Sequence, residues 1–197
     1  STGLKDLDGL TLGLQKNNMV VLAARPSMGK TSLAMNIAEY VALPKGGNGS
    51  PTIIFSLEMG HQDLGMRLLC ARARVSMSRL QDGFCSSEEK QLLASSAIEL
   101  KKAPIVIDDS SNLTIMELRA KARRIASRIH NKHGSPVGLI VVDYLQLLAG
   151  TNSAVGREQQ ISEISRGIKG LAKELEVPVL VLRQLNRDME KETRKPR

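Results

Sequence analysis

The chain has 197 residues, 42% hydrophobic and 24% charged, which is typical of one globular domain with a sizeable core. No apolar run approaches the roughly 20 residues that a membrane-spanning helix needs, so we expect no membrane partner. The formal net charge of +8 permits binding to nucleic acid, but two tyrosines, two phenylalanines and no tryptophan offer little surface for base stacking. Any nucleic-acid contact is therefore expected to involve mainly phosphates.

The predicted elements begin after an irregular opening. Residues 1–16 carry three glycines among leucines, which predicts a lead-in with tight turns. Apolar, β-rich runs follow, and their nearly continuous hydrophobicity is typical of strands covered on both faces, as in a parallel sheet. These runs are 19–23, 53–57, 105–107, 139–142 and 179–182. Helical patterns lie between them, at 31–43, 61–74, from Ser86 onward, 114–129 and 157–177. This alternation predicts a single α/β domain, residues 1–197, whose central sheet is mostly parallel and flanked by helices.

The first predicted strand leads into a candidate phosphate-binding loop. The loop ends in Gly29-Lys30-Thr31, where a helix is expected to begin. Backbone N–H groups at a helix N-terminus bind phosphate, while Lys30 would reach the β and γ oxygens and the Thr31 hydroxyl would hold Mg²⁺. The candidate nucleotide-binding residues are Ala24, Arg25, Pro26, Ser27, Met28, Gly29, Lys30, Thr31 and Ser32. Ala24 replaces the first glycine of the strict motif, at a position that needs only a small residue. The alternative is a Gly-Lys-Thr helix start without a ligand.

Three polar residues at strand ends complete a candidate catalytic set. Asp143 follows the apolar strand 139–142, as in a Walker B element, and is a second candidate ligand of Mg²⁺. Glu58 closes the strand 53–57 and is a candidate general base for the attacking water. Gln184 comes shortly after the last strand and is a candidate sensor of the γ-phosphate. The alternatives are an aspartate that starts a turn and a glutamine on the surface.

The predicted helix 114–129 is the clearest amphipathic segment. One side is apolar, and the other carries a basic face. The basic residues are Arg119, Lys121, Arg123, Arg124 and Arg128. Such a face is consistent with binding to phosphate or to a neighbouring subunit, and also with simple solvation.

Several sequence blocks resemble bacterial replicative DNA helicases, the DnaB family. The blocks lie in the family's order and cover the chain nearly end to end. They are the phosphate loop 23–31, Phe55-Ser56-Leu57-Glu58-Met59, Asp108-Asp109-Ser110-Ser111, Asp143-Tyr144-Leu145-Gln146-Leu147 and Gln184-Leu185-Asn186-Arg187, with the opening 1–3 and the stretch 161–166.

The resemblance implies a RecA-like P-loop ATPase that uses ATP and Mg²⁺, forms a homo-hexameric ring and moves along single-stranded DNA. It assigns Lys30 and Thr31 to phosphate and metal, Asp143 to the metal, Glu58 to the catalytic base and Gln184 to the link with a DNA-facing loop. By the same alignment the candidate DNA contacts are Arg157, Arg187, Lys191, Arg194 and Lys195. Acidic residues lie among the basic residues from Arg187 onward, so the alternative is a tail that is only solvated. The resemblance also implies a primase partner and a helicase loader. Cys70 and Cys85 lie in no metal-ligand spacing, and in a nucleotide-dependent protein they indicate reduced thiols and a cytoplasmic location.

The chain differs from family members in its extent. We expect an N-terminal helical domain and the strands that supply a trans-acting arginine finger to lie outside residues 1–197, which makes the ATPase domain incomplete at its C-terminal end. An arginine finger contributes several orders of magnitude in rate, so slow hydrolysis is expected of this piece alone. Arg183 also stands where the family usually has a small polar residue.

Two other functions remain open from the residues. A RecA- or RadA-like recombinase shares the fold and the strand-end glutamate, although the blocks at 25–28 and 143–147 favour the helicase. A non-catalytic nucleotide-switch module, such as a loader, would need no arginine finger.

Overall fold

The computed structural model describes residues 1–44, 49–143 and 157–185 of the chain. Over these residues helices and strands alternate as predicted. The strands are β1 (Met19–Ala24), β2 (Thr52–Ser56), β3 (Ile105–Asp108), β4 (Leu139–Asp143) and β5 (Val179–Gln184). The helices are α1 (Lys5–Thr11), α2 (Lys30–Ala42), α3 (His61–Ala73), α4 (Met77–Gln81), α5 (Ser87–Lys102), α6 (Ile115–His133) and α7 (Arg157–Glu174).

The strands form one sheet in the order β1-β5-β4-β2-β3, and every pairing within the described ranges is parallel. The register places Ala24 beside Gln184 and Ser56 beside Asp143. The carboxyl ends of four neighbouring strands therefore lie along one edge of the sheet. This is the edge at which open α/β sheets bind their ligands.

Helices cover both faces of the sheet, which explains why its strands are almost continuously apolar. On one face α6 and α7 pack on side chains such as Ile53 and Val142. On the other face α2 and α3 pack on side chains such as Ile54 and Val141. All four of these side chains are fully buried. The predicted α/β fold with a parallel sheet is confirmed.

The prediction of an irregular opening was wrong. Residues Lys5–Thr11 form the short helix α1, and the carboxylate of Asp8 binds the residues that precede it. It accepts hydrogen bonds from Ser1 Oγ at 2.6 Å and from the Thr2 backbone N–H at 2.8 Å. Leu12 and Gly13 have positive φ angles and end the helix. The glycines made the sequence look turn-rich, but these contacts of Asp8 hold the segment in place. Helix α4 was also not predicted.

Capping boxes fix the start of two helices. The Ser86 side chain accepts a hydrogen bond from the Glu89 N–H, and the Glu89 side chain accepts one from the Ser86 N–H, as the sequence predicts. Thr114 and Glu117 make the same reciprocal contacts at the start of α6. These contacts satisfy backbone donors that a helix start otherwise leaves without partners.

Candidate active site

The loop between β1 and α2 has the shape of a phosphate-binding turn. It leaves the sheet at Ala24 and enters α2 at Lys30, with Ser27 and Gly29 in the left-handed region at φ angles of 63° and 78°. A Cβ atom at Gly29 would meet no other atom of the described residues within 4 Å, so the glycine is favoured by its φ angle rather than by crowding. Residues 25–29 are exposed. The turn therefore presents the N-terminus of α2 to solvent, where an anion is favourably bound.

Asp143 ends β4 directly beside this helix start. Thr31 Oγ1 donates a hydrogen bond of 2.9 Å to Asp143 Oδ2. The side chain is 1% exposed, and its other oxygen, Oδ1, has no hydrogen-bond partner among the described residues. A buried carboxylate oxygen without a partner is costly for an apoprotein, and it is also the type of ligand that Mg²⁺ prefers. The residues present therefore fit a magnesium ion held by Thr31 and Asp143.

The charges around Asp143 show that further candidate residues are close to it. Burial raises the pKa of Asp143, and the nearby charge of Glu58 acts in the same direction. The hydrogen bond from Thr31 and the positive charge of Lys30 oppose this rise. Lys30, Thr31, Glu58 and Asp143 thus interact in one site, although they come from three different segments of the chain.

Glu58 lies in the turn that follows β2 rather than at the end of the strand, which stops at Ser56. Two contacts hold this turn: the Leu57 N–H donates to the Asp143 carbonyl at 2.7 Å, and Ser56 Oγ donates to the Met59 carbonyl at 2.6 Å. The Glu58 side chain is exposed. The turn therefore carries this carboxylate beside Asp143 without burying it, as a base that takes a proton from water requires.

Gln184 is the last residue of β5 and lies opposite Ala24 in the sheet. The Leu185 N–H donates a hydrogen bond of 3.1 Å to the Ala24 carbonyl, so the chain stays beside the phosphate loop just past the strand. The side chain of Gln184 is half-buried. The structure places it at the predicted edge, and its role as a sensor remains a prediction.

The family model for the DnaB-like helicase C terminal domain matches residues 1–197. The chain belongs to this family. It is 44% identical over 190 residues to the replicative DNA helicase DnaB of Geobacillus stearothermophilus, covering 96% of this chain and 40% of that protein. It is 42% identical over 189 residues to the replicative DNA helicase DnaB of Leifsonia xyli subsp. xyli, covering 96% of this chain and 39% of that protein. The chain thus spans about two fifths of the length of these curated relatives.

Solved structures have the same fold. One, described as an ATPase domain, superposes with a TM-score of 0.87 and 31% identity, covering all of this chain and 67% of that one. A DnaB-like replicative helicase, described with its interactions with primase, gives a TM-score of 0.86 and 31% identity, covering 97% of this chain and 44% of that one. The predicted RecA-like fold and family are confirmed, and the family model and the curated relatives favour the helicase over the recombinase.

The predicted DNA contacts of this family member are mostly outside the described residues. Arg187, Lys191, Arg194 and Lys195 fall after residue 185. Arg157 is the first residue of α7, but its side chain is outside the described part of the structure. These assignments therefore stay predictions. Within the described ranges no helix is both long and apolar enough to cross a membrane.

The residue pattern did not predict the contacts that hold the segments of the candidate active site in position. Ser56 and the Asp143 carbonyl fix the turn of Glu58. Asp109, just past β3, accepts a hydrogen bond of 2.9 Å from the backbone N–H of His61. The same carboxylate lies 2.7 Å from His61 Nδ1 and accepts a second hydrogen bond when that atom is protonated. These contacts hold the start of α3. The block that contains Asp109 was recognised by resemblance, but nothing in the residue pattern indicated its partner 48 positions away.

Proposed function

We propose that this domain binds ATP with Mg²⁺ and that a longer protein containing it couples ATP hydrolysis to movement along single-stranded DNA and to duplex unwinding. The observation that supports the proposal best is the buried hydrogen bond between Thr31 and Asp143, which leaves Asp143 Oδ1 available beside Lys30 and Glu58. A nucleotide-binding turn, two oxygen ligands for a metal and a candidate base are the minimum set for hydrolysis of a triphosphate.

Each of these residues has a separate proposed role in ATP hydrolysis. Amides of the loop and of the first turn of α2 hold the phosphates, and Lys30 adds a positive charge at the β and γ oxygens. Mg²⁺, held by Thr31 and Asp143, would neutralise the negative charge that develops on these oxygens. The burial of Asp143 keeps the ligand fixed before the nucleotide arrives, so little reorganisation is needed.

Glu58 would accept the proton of the attacking water. The water oxygen forms a bond to the γ-phosphorus, the bond from that phosphorus to the bridging oxygen breaks, and the proton passes to the Glu58 carboxylate. ADP and phosphate leave. Gln184 pairs with Ala24 at the start of the loop, and in this proposal its amide would sense the γ-phosphate and pass that state to the residues that follow it in the sequence.

DNA would be held mainly through phosphates by Arg157, Arg187, Lys191, Arg194 and Lys195. Binding of this type weakens steeply as salt rises and shows little sequence preference. By analogy with the relatives, one of which is described in its interactions with primase, we include in the proposal a homo-hexameric ring, a primase partner, a helicase loader and a cytoplasmic location.

The test is Glu58→Gln in a longer protein that contains this domain, with ATP hydrolysis measured with and without single-stranded DNA. We expect the DNA-stimulated rate to fall about 100- to 10,000-fold because the base is lost, while binding of a fluorescent ATP analogue is retained. Glu88→Gln, on the exposed face of α5, makes the same chemical change and should leave both quantities unchanged. A Glu58→Gln variant that hydrolyses ATP at the wild-type rate would refute the assignment of the base. A nucleotide-switch module would keep its activity with this substitution.

A further inference from the structure

A cavity lies at the opposite edge of the sheet from β1. Its volume is about 320 Å³, and it runs between β3, the outermost strand on that side, and helix α6. Val106 and Ile125 give it apolar lining on the face that α6 covers, and Lys121, Arg124 and Arg128 also line it. Strands β5, β4 and β2 separate it from the strand that leads into the phosphate loop. We call this cavity the β3–α6 groove.

Three of the five residues of the basic face predicted on α6 already have partners. Arg119 and Arg123 donate hydrogen bonds of 2.9 and 3.0 Å to Glu174 of α7. Lys121 donates to Asp108 Oδ2 at 2.8 Å and to Ser110 Oγ at 2.5 Å. These contacts dock α6 on its neighbours. They also show that the basic face predicted from the sequence is not uniform.

Arg124 and Arg128 differ from those three. They are one helical turn apart, both are exposed, and neither forms a hydrogen bond or ion pair with any residue of the described ranges. Both side chains line the β3–α6 groove. Since Lys121 is neutralised by Asp108, the groove carries two positive charges without a counterpart in the described part of the chain.

The strand beside these arginines has an available edge. Within the described residues β3 pairs only with β2, and all four of its residues are half-buried. Backbone N–H and C=O groups on the outer edge of such a strand can pair with an added strand. Val106 faces α6 and Ile105 and Ile107 face the opposite side, so the side chains of an added strand would have apolar neighbours on both faces.

We infer that the β3–α6 groove binds an extended, acidic segment of a partner protein, which pairs with β3 and directs its carboxylates at Arg124 and Arg128. Alternate residues of an extended chain point to opposite sides, so acidic residues at every second position would face the arginines. The apolar residues between them would lie on the other face of the sheet, beside Ile105 and Ile107. Arginine binds carboxylates with paired, directional hydrogen bonds, which suits this arrangement.

Two other occupants fit the groove less well. A nucleic-acid backbone would neutralise the arginines, but it has no groups that continue a β-ladder and would leave the half-buried side chains of β3 without a partner. A second copy of this chain carries a net charge of +8, which opposes its approach to a basic groove. Charge complementarity and the free strand edge together favour an acidic peptide.

The inference is tested with a labelled peptide of alternating glutamate and valine and with labelled oligodeoxythymidine, both titrated into the 197-residue chain. Arg124→Ala/Arg128→Ala should weaken peptide binding about tenfold and leave oligodeoxythymidine binding unchanged. Lys101→Ala/Lys102→Ala removes the same charge from an exposed end of α5 and should change peptide binding little. The same peptide with methyl groups on alternate backbone nitrogens should bind more weakly, because it cannot complete the ladder.

Each opposite result would overturn the inference. If both double variants bind the peptide as the unchanged chain does, the groove is not its site. If the methylated peptide binds equally well, no strand is added. If Arg124→Ala/Arg128→Ala weakens oligodeoxythymidine and not the peptide, the groove binds nucleic acid. If sedimentation shows that the unchanged chain self-associates and this variant does not, the occupant is a second copy. Ellipticity and thermal midpoint are measured on every variant and must match those of the unchanged chain. If Arg124→Ala/Arg128→Ala does not match, Arg124→Lys/Arg128→Lys is tested in its place.

Discussion

Thr31 and Asp143 are 112 positions apart in the sequence, yet the Thr31 hydroxyl donates a hydrogen bond of 2.9 Å to the Asp143 carboxylate. The bond joins the first turn of α2 to the carboxyl end of β4. It leaves Asp143 Oδ1 buried without a partner among the described residues. The pair therefore fits the proposed metal site, with the Thr31 hydroxyl orienting the carboxylate, and this contact leads to predictions for mutation and for pH.

Asp143→Asn should reduce the contribution of Mg²⁺ to nucleotide binding. The amide oxygen is a neutral and weaker ligand, so we expect the gain in affinity for an ATP analogue on adding Mg²⁺ to fall about tenfold or more. Binding without Mg²⁺ should change little. Titration of a fluorescent ATP analogue with and without the metal measures both. Asp6→Asn, an exposed change in α1, is the control. An unchanged Mg²⁺ effect in Asp143→Asn would contradict the proposed ligand.

The stability of the metal-free protein should depend on pH through the same carboxyl. Burial, followed by the charge of Glu58, raises the pKa of Asp143 in spite of the Thr31 hydrogen bond and the Lys30 charge. The folded state therefore keeps this proton to a higher pH than the unfolded state. Between the two pKa values the folded state binds more protons, so the free energy of unfolding falls as pH rises, and it levels off above the folded pKa.

Asp143→Asn cannot titrate at this position and should lack that part of the pH dependence. Relative to the variant, the wild type should become less stable as the pH rises through this window. Urea unfolding of both proteins without Mg²⁺, from about pH 4 to pH 8, measures the difference between their free energies of unfolding. A constant difference over that range would show that the folded protein does not shift the pKa of Asp143.

The residue pattern was sufficient to predict the strands and the helices around the site because those segments are governed by local rules. Apolar runs marked strands buried on both faces, and Ser86 with Glu89 marked a helix start through contacts only three residues apart. Asp143 was found because an acid directly follows an apolar strand. By contrast, the partners of Arg119, Lys121 and Arg123 depend on how α6 docks on α7 and β3, and no local pattern encodes that docking. Helix α1 was missed for a different reason: its glycines are typical of turns, and the hydrogen bonds of Asp8 to Ser1 and Thr2 follow no common helix-start pattern.

Two glycines of α7 should respond differently to alanine. A Cβ atom at Gly167 would overlap Ile115 Cγ1 at the contact between α6 and α7, whereas at Gly170 the nearest atoms are 4.0 Å away on Arg119. Gly167→Ala should therefore lower the free energy of unfolding by about 1–3 kcal/mol because the interface is overpacked. Gly170→Ala should raise it by up to about 1 kcal/mol, since alanine is the better helix former. Chemical denaturation of both variants provides the comparison. Equal effects would mean that α7 does not approach α6 closely at Gly167.

Arg72 should contribute more to the free energy of unfolding than Arg79, which lies in the same half of the chain. It lies on α3, and its guanidinium donates hydrogen bonds of 2.6 Å to Glu39 on α2 and 2.6 Å to Glu99 on α5. Its side chain is 26% exposed. Arg79, by comparison, is 55% exposed and pairs with Glu89. Arg72→Ala leaves two carboxylates without their shared partner, and we expect it to cost about 1–3 kcal/mol.

Arg79→Ala should cost less than about 1 kcal/mol, because exposed ion pairs are screened by solvent. Urea unfolding at low and high salt separates the two effects. At high salt the loss from Arg79→Ala should nearly vanish, while most of the loss from Arg72→Ala should remain, because its hydrogen bonds are partly shielded from water. If Arg72→Ala and Arg79→Ala cost the same free energy of unfolding at each salt concentration, Arg72 does not tie α3 to its neighbouring helices.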